Sequence, residues 1–273
     1  MAIKQLPKFY STDFRLPSKK PIGDVEIDWS NTLTKGLKFY ANVKNPYGLR
    51  NLVTEKDDPT LTGAPTQSTG TTGQTVRYVS GQAVTHKLGR ALDSTNLTMM
   101  FYMSDETAVT SKGLISVSDG TTSARYLVFA PQADRIGFFT STDSTALSFI
   151  QADSPSPVSK KLHRHVITTT SGRLNWYIDG VLSFFDNGFI GISSGMDTIG
   201  LNCWQASNVS NNGTHNISEV AVWERVLTQQ EITSLENQPY SQILKPKQEP
   251  VYFTADASIT IIESTGTLNL STQ

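Results

Sequence analysis

His165-Val166-Ile167-Thr168-Thr169-Thr170-Ser171-Gly172-Arg173-Leu174-Asn175-Trp176-Tyr177-Ile178-Asp179-Gly180-Val181-Leu182-Ser183-Phe184 is the stretch on which the fold turns. A strand over 165–169 runs into a Ser171-Gly172 turn. Leu174, Trp176 and Ile178 then fall on one face of a second strand, which makes that face apolar. Asp179-Gly180 is another turn signal, a pair with a conformational reason of its own, and 181–184 returns as a third strand. Such a meander is the unit of an antiparallel sheet.

The same rhythm continues on both sides. Gly36-Leu37-Lys38-Phe39-Tyr40, Leu97-Thr98-Met99-Met100-Phe101-Tyr102-Met103 and Arg125-Tyr126-Leu127-Val128-Phe129 alternate like half-buried strands. The tract 57–73, dense in Thr, Gly and Pro, reads as a loop. One short helix is predicted near the C-terminal end. Thr228-Gln229-Gln230-Glu231 is a capping box, Leu227 and Ile232 stand at staple positions, Ile232 and Leu235 share a face, and Pro239 marks the stop. The expectation is an all-β, antiparallel two-sheet β-sandwich with that one helix. Three segments follow: an extended arm over 1–28, a sandwich domain over 29–244, and a tail over 245–273. The tail opens on the linker-like Lys245-Pro246-Lys247-Gln248-Glu249-Pro250. It then carries Val251-Tyr252-Phe253-Thr254 and Ile259-Thr260-Ile261-Ile262 as a hairpin, which needs a sheet or another subunit to pair with.

Composition narrows the function. The 273 residues carry 23 Lys+Arg against 24 Asp+Glu, a net charge of -1, so the footprint of a nucleic-acid binder is missing. Charged residues are only 17%, with Ser, Thr, Asn and Gly filling the difference, as suits many short strands joined by turns. Cys203 is the only cysteine, which excludes an internal disulfide framework and a cysteine-rich zinc cluster; such a thiol is expected to be buried. No run approaches the roughly 18 apolar residues of a membrane helix, and Met1-Ala2-Ile3-Lys4-Gln5 carries no secretory apolar stretch. A soluble protein made in a cytoplasm, without membrane insertion, is expected.

Leu162-His163-Arg164-His165-Val166 followed by Trp176-Tyr177-Ile178-Asp179-Gly180 resembles the central hairpin of laminin G-like, concanavalin A-like jelly rolls. Residues 216–232, from Asn216-Ile217-Ser218-Glu219 through Trp223 to Thr228-Gln229-Gln230-Glu231-Ile232, are similar to that family's final strand and helix. Residues 28–37, and the exit Gln238-Pro239-Tyr240-Ser241-Gln242-Ile243-Leu244-Lys245-Pro246, are similar to the ends of such proteins in tailed bacteriophages. The resemblance implies a jelly roll in a virion, as a surface-exposed capsid decoration, head-fibre or tail component assembled in the host cytoplasm. Its implied partners are other virion proteins, sister copies in a homo-oligomer, and host surface polysaccharide. Calcium is the one cofactor it brings in, and no acid-rich loop here places a site for it.

The candidate chemistry is sparse. Glu26 and Asp28 share a strand face as glycanase carboxylates do, but the third acid of that pattern is replaced by Asn31. Gly191-Ile192-Ser193-Ser194-Gly195 matches a nucleophile elbow in letters, yet it leads into a short strand and lacks the required helix. His163 and His165 alternate on one strand without an acidic companion at ligand spacing; a structural role for His165 competes with metal binding. No catalytic set and no metal site is therefore assigned. Glycan binding remains. Asn202, Trp204 and Gln205, beside an Asn-rich loop over 208–216, combine a stacking aromatic with polar side chains, although Trp204 suits the sandwich interior better. The expectation is a non-enzymatic virion protein attached by its terminal arms, with a lectin-like adhesion module as the alternative.

Overall fold

The structure, a computed structural model, describes residues 25–42, 51–54, 59–70, 73–92, 94–105, 115–119, 126–131, 136–141, 147–152, 162–189, 195–203, 214–238, 240 and 243–246. In chain order the first strands are β1 (Val25–Ile27), β2 (Leu37–Asn42), β3 (Thr60–Thr62), β4 (Thr66–Gly70), β5 (Gly73–Tyr78), β6 (Ala83–Leu92), β7 (Leu97–Asp105) and β8 (Ile115–Ser118). There follow β9 (Tyr126–Pro131), β10 (Ile136–Ser141), β11 (Leu147–Ala152), β12 (His163–Thr170), β13 (Gly172–Ile178), β14 (Val181–Phe189), β15 (Met196–Leu201), β16 (His215–Trp223), helix α1 (Gln229–Asn237) and β17 (Leu244–Pro246).

The strands form two large antiparallel sheets. One has the order β11-β10-β9-β8-β15-β6-β3; the other runs β14-β13-β12-β7-β16-β5-β4, with β2 also pairing to β16. Between them lies the main core, where Phe101, Met99, Ile167, Trp176, Val220 and Val222 of the second sheet meet Val84, Val117, Ile199 and Leu201 of the first. The opposite side of the second sheet is covered as well. There Met100, Val166, Ala221 and Trp223 pack against Ile232 and Leu235 of α1 and against Ile27 and Leu244. Burial on both faces explains why Met99-Met100-Phe101 and Val220-Ala221-Val222-Trp223 are continuously apolar where a half-buried strand would alternate.

Local signals formed what they encode. Asp179 (φ 48°) and Gly180 (φ 79°) both take positive φ, the geometry of a tight hairpin between β13 and β14. At α1 the Thr228 side chain accepts from the Glu231 amide while the Glu231 carboxylate accepts from the Thr228 amide, completing the capping box. Arg225 grips the same carboxylate at 2.7 and 2.9 Å. The staple pair, Leu227 and Ile232, is buried in one cluster.

The tract 57–73 departs from its sequence reading: it holds β3 and β4 and meets the start of β5. Its glycines and two prolines punctuate, while its threonines are β-branched and fit extended backbone. Leu244–Pro246, read in part as linker, is β17 and pairs with β1 in a separate ribbon: Val25 faces Pro246, Glu26 faces Lys245 and Ile27 faces Leu244. The arm and linker assigned to 25–28 and 245–246 thus enter the ordered fold. The hairpin expected within 251–262 lies outside the described residues.

Candidate functional site

Of the three residues expected to touch sugar, Trp204 and Gln205 lie outside the described residues. Asn202 is fully buried in left-handed backbone with φ 56°. Its Nδ2 donates to the backbone oxygens of Gln82 (2.8 Å) and Val79 (3.3 Å), so the amide ties the end of β15 to the β5–β6 turn. Beside it Cys203 folds back over Gly200, where a Cβ would meet Cys203 Sγ and Ser116 Oγ at 2.5 Å each. Burial pushes the Cys203 thiol up to about 12, which keeps it protonated and unreactive. The two residues anchor the root of the segment that carries Trp204.

The carboxylates and histidines have structural partners. Glu26 pairs with Lys245 at 3.4 Å on the ribbon, and Asp28 accepts from the Ser30 hydroxyl at 2.6 Å. Of the elbow-like motif only Gly195 is described, and it leads into β15. His163 Nδ1 lies 2.6 Å from Asp179 Oδ2. Burial opposes the charge of Asp179, but the hydrogen bonds from His163 and the Arg164 amide outweigh it and hold the carboxyl below its usual range. His165 faces the core instead, stacked between Phe101 and Trp176, with its Nδ1 accepting from Trp176 Nε1 at 3.2 Å. Burial pushes His165 down to about 3, so the ring is neutral. Among the described residues no group of three or more His, Cys, Asp or Glu side chains is placed to hold a metal ion.

The outer face of the second sheet carries the richest chemistry, arranged in three cross-strand rows. The first is Glu219, Tyr102 and Arg164, register partners on β16, β7 and β12. Arg164 is buried. It donates to Glu236 at 3.0 Å, Glu219 at 3.4 Å and the Leu235 carbonyl at 3.2 Å, with its guanidinium over the Tyr102 ring. The Tyr40 hydroxyl donates to the other Glu219 oxygen at 2.5 Å. Burial works against the Arg164 charge, yet Glu219 and Glu236 overcome it and raise its pKa; burial and Glu219 together raise Tyr40 well above its ordinary value. This network locks α1 to the sheet and engages the Arg164 cation with two carboxylates.

The second row is apolar: Tyr40, Ala221, Met100, Val166, Tyr177 and Leu182, running from under α1 to the exposed edge strand β14. The third row is Trp223, Thr98, Thr168, Asn175 and Phe185. Its first two members are roofed by the segment before α1: Thr98 Oγ1 donates to the Arg225 carbonyl and accepts from the Leu227 amide. Beyond that roof the row comes to the surface, and Phe185 is 52% exposed. Asn175 Nδ2 donates to Thr168 Oγ1 at 3.2 Å, and Arg173 Nε donates to Asn175 Oδ1 at 2.9 Å. The Arg173 guanidinium lies over the Phe185 ring, 5.5 Å from its centroid. An exposed aromatic face, a half-buried amide and a cation therefore share one platform, with the buried Thr168 hydroxyl holding the amide. Sequence reasoning missed it. On α1 itself lies a cleft of about 440 Å³ lined by Gln230, Thr233, Ser234, Asn237 and Gln238. Gln229 reaches both Thr233 on the helix and the Gly180 carbonyl of the β13–β14 turn.

A protein-family model, Laminin_G_3, described as the concanavalin A-like lectin/glucanases superfamily, matches residues 78–233. No curated protein matches the chain. Among solved structures, the binding domain of Paraclostridial Mosquitocidal Protein 1 is similar with a TM-score of 0.59 at 12% identity, over 76% of this chain and 53% of that one. Domain 4 of AbnA, a GH43 extracellular arabinanase from Geobacillus stearothermophilus, in complex with arabinotriose, gives 0.56 at 13% identity, over 73% of this chain and 98% of that one. The binding domain of Botulinum Neurotoxin DC in complex with SialylT gives 0.56 at 13% identity, over 76% and 52%. This chain thus spans about half the length of the two toxin binding domains, and identities this low establish a shared fold alone.

Proposed function

The chain belongs to the Laminin_G_3 family of the concanavalin A-like lectin/glucanases superfamily, and from that premise we propose that it is a glycan-binding module acting by attachment and not by catalysis. The observation that carries this reading is the Phe185–Arg173–Asn175–Thr168 platform. Sugar sites pair an aromatic face, which takes the C–H side of a pyranose, with a few polar groups that fix its orientation. Here the ring is open to solvent, Arg173 is held by a hydrogen bond to Asn175, and Asn175 by one to the buried Thr168. The solved relatives complexed with arabinotriose and SialylT support the class of ligand. Glu26, the candidate glycanase acid, sits on a ribbon strand and pairs with a lysine, which supports a module without turnover.

Trp204 and Gln205, in the segment rooted at Asn202, are a second proposed contact. A glycan array with the intact protein tests the reading. Binding to at least one polysaccharide class, reduced at least about tenfold by Phe185→Ala with the fold unchanged, is expected. An array without a bound glycan contradicts it.

A second reading adds location: a virion surface protein, whether capsid decoration, head fibre or tail component, that assembles as a homo-oligomer in the host cytoplasm. It is supported by the β1–β17 ribbon, where Val25 lies opposite Pro246, so the segments 1–24 and 247–273 start from neighbouring positions and can reach one attachment site. Deleting either segment is expected to abolish incorporation into particles while the sandwich stays folded. Normal incorporation of both truncations contradicts this.

A further inference from the structure

We propose that the Phe185 platform selects a glycan carrying a carboxylate, a uronic or sialic type of sugar, with Arg173 as the residue that reads the acid. The inference rests on the glycan-binding reading and narrows it to a ligand class.

The geometry of Arg173 is the argument. Guanidinium groups are planar forks, and a fork held in a fixed plane can meet both oxygens of a carboxylate. The Nε of Arg173 is engaged with Asn175 Oδ1 at 2.9 Å, and Asn175 is in turn held by Thr168, whose own side chain is buried. Contact with the Phe185 ring restrains the group from its face. These restraints leave the two terminal nitrogens without an ion-pair or hydrogen-bond partner among the described residues, at an exposed position. The nearest acid in register, Asp186, pairs with Leu174 and so alternates to the other face of the sheet from Phe185. The cation is therefore oriented but not neutralised.

The surroundings favour a sugar over a peptide as the bearer of that carboxylate. Asn175 is the register partner of Phe185 and is half-buried, so an amide flanks the ring where a pyranose offers hydroxyls, while the buried Thr168 holds that amide from beneath.

Matched probes separate the possibilities. Oligosaccharides containing galacturonate, glucuronate or sialic acid are titrated against the intact protein, each beside its carboxyl-reduced counterpart, in which CH2OH replaces the carboxylate. At least one acid-bearing probe is expected to bind about tenfold or more tightly than its reduced partner, a difference erased by Arg173→Gln and partly kept by Arg173→Lys. Arg173→Gln is expected to leave the thermal midpoint unchanged. Equal affinity for both members of every pair overturns the inference and leaves glycan binding standing. Binding of neither member of any pair, together with an empty glycan array, overturns both. Poly-glutamate competing as well as the acidic oligosaccharide would assign the site to an acidic peptide and overturn the sugar assignment.

Discussion

Arg164 and Arg173 stand on neighbouring strands of one hairpin and face the same side of the same sheet, yet their surroundings are opposite. Arg164 is buried beneath α1, with two glutamates, a carbonyl and an aromatic ring around it. Arg173 is exposed, restrained by one amide and one ring, with no carboxylate partner among the described residues. Taking a charge from water costs several kcal/mol, so the buried one must be met by carboxylates. The exposed one needs no match, and a restraint on it serves orientation instead. The sheet uses the first arginine to hold its helix and offers the second to a ligand.

The largest expected effect breaks the buried half of that comparison. Arg164→Met leaves Glu219 buried beside Tyr40 without its cation and is expected to cost about 3–5 kcal/mol in equilibrium denaturation. Adding Glu219→Leu to Arg164→Met is expected to restore much of that loss, because the remaining uncompensated charge is gone. A loss below about 0.5 kcal/mol in the single variant would place Arg164 with ordinary surface residues.

Next in size is a pH effect. His165 is neutral in the fold with its pKa pushed down to about 3, whereas the unfolded chain takes up that proton near 6.5. Between those values the unfolded state binds more protons. Stability is therefore full above about pH 6.5 and falls towards pH 3, at up to about 1.4 kcal/mol per unit. Asp179, with its pKa lowered, adds a loss in the same direction only as pH falls below its ordinary value of 3.8. Glu231, whose charge burial opposes but the bonds from Arg225 and Thr228 favour, adds its own loss as pH falls towards 4.5, so denaturation midpoints between pH 6.5 and about 5.5 are the ones that report the histidine. His165→Gln, which keeps an acceptor for Trp176, is expected to flatten the slope; an unchanged slope would contradict the neutral assignment.

Smaller still, Thr228→Ala removes one side of the capping box and is expected to cost about 1 kcal/mol, read from the same curves. Arg173→Gln is expected to change stability by less than about 0.5 kcal/mol. That last value sharpens the contrast, since the same residue type on the same face would differ severalfold in its effect on folding.

The hairpin and the helix were legible in the sequence because their signals are local. Asp179-Gly180 and Thr228 through Glu231 act within a few residues. The rows were not legible, because Glu219, Tyr102 and Arg164 meet only through the pairing of strands distant in the chain. Phe184 and Phe185 show the same limit at short range. Adjacent residues point to opposite faces, and a register shift between Trp176 and Tyr177 decides the outcome. Phe184 packs on the core and Phe185 meets solvent. The tract 57–73 failed for a different reason: punctuation by Gly and Pro concealed short threonine-rich strands between the turns.

The most direct test of the two-arginine account follows both guanidiniums at once. In 1H–15N spectra of the labelled protein, the Nε–Hε resonances of Arg164 and Arg173 and the Asn175 side-chain amide are tracked while the best-bound acidic oligosaccharide is titrated in. The account predicts saturable shifts at Arg173 and Asn175 with Arg164 unmoved. Saturation that leaves Arg173 and Asn175 in place would contradict it and move the glycan site away from this face.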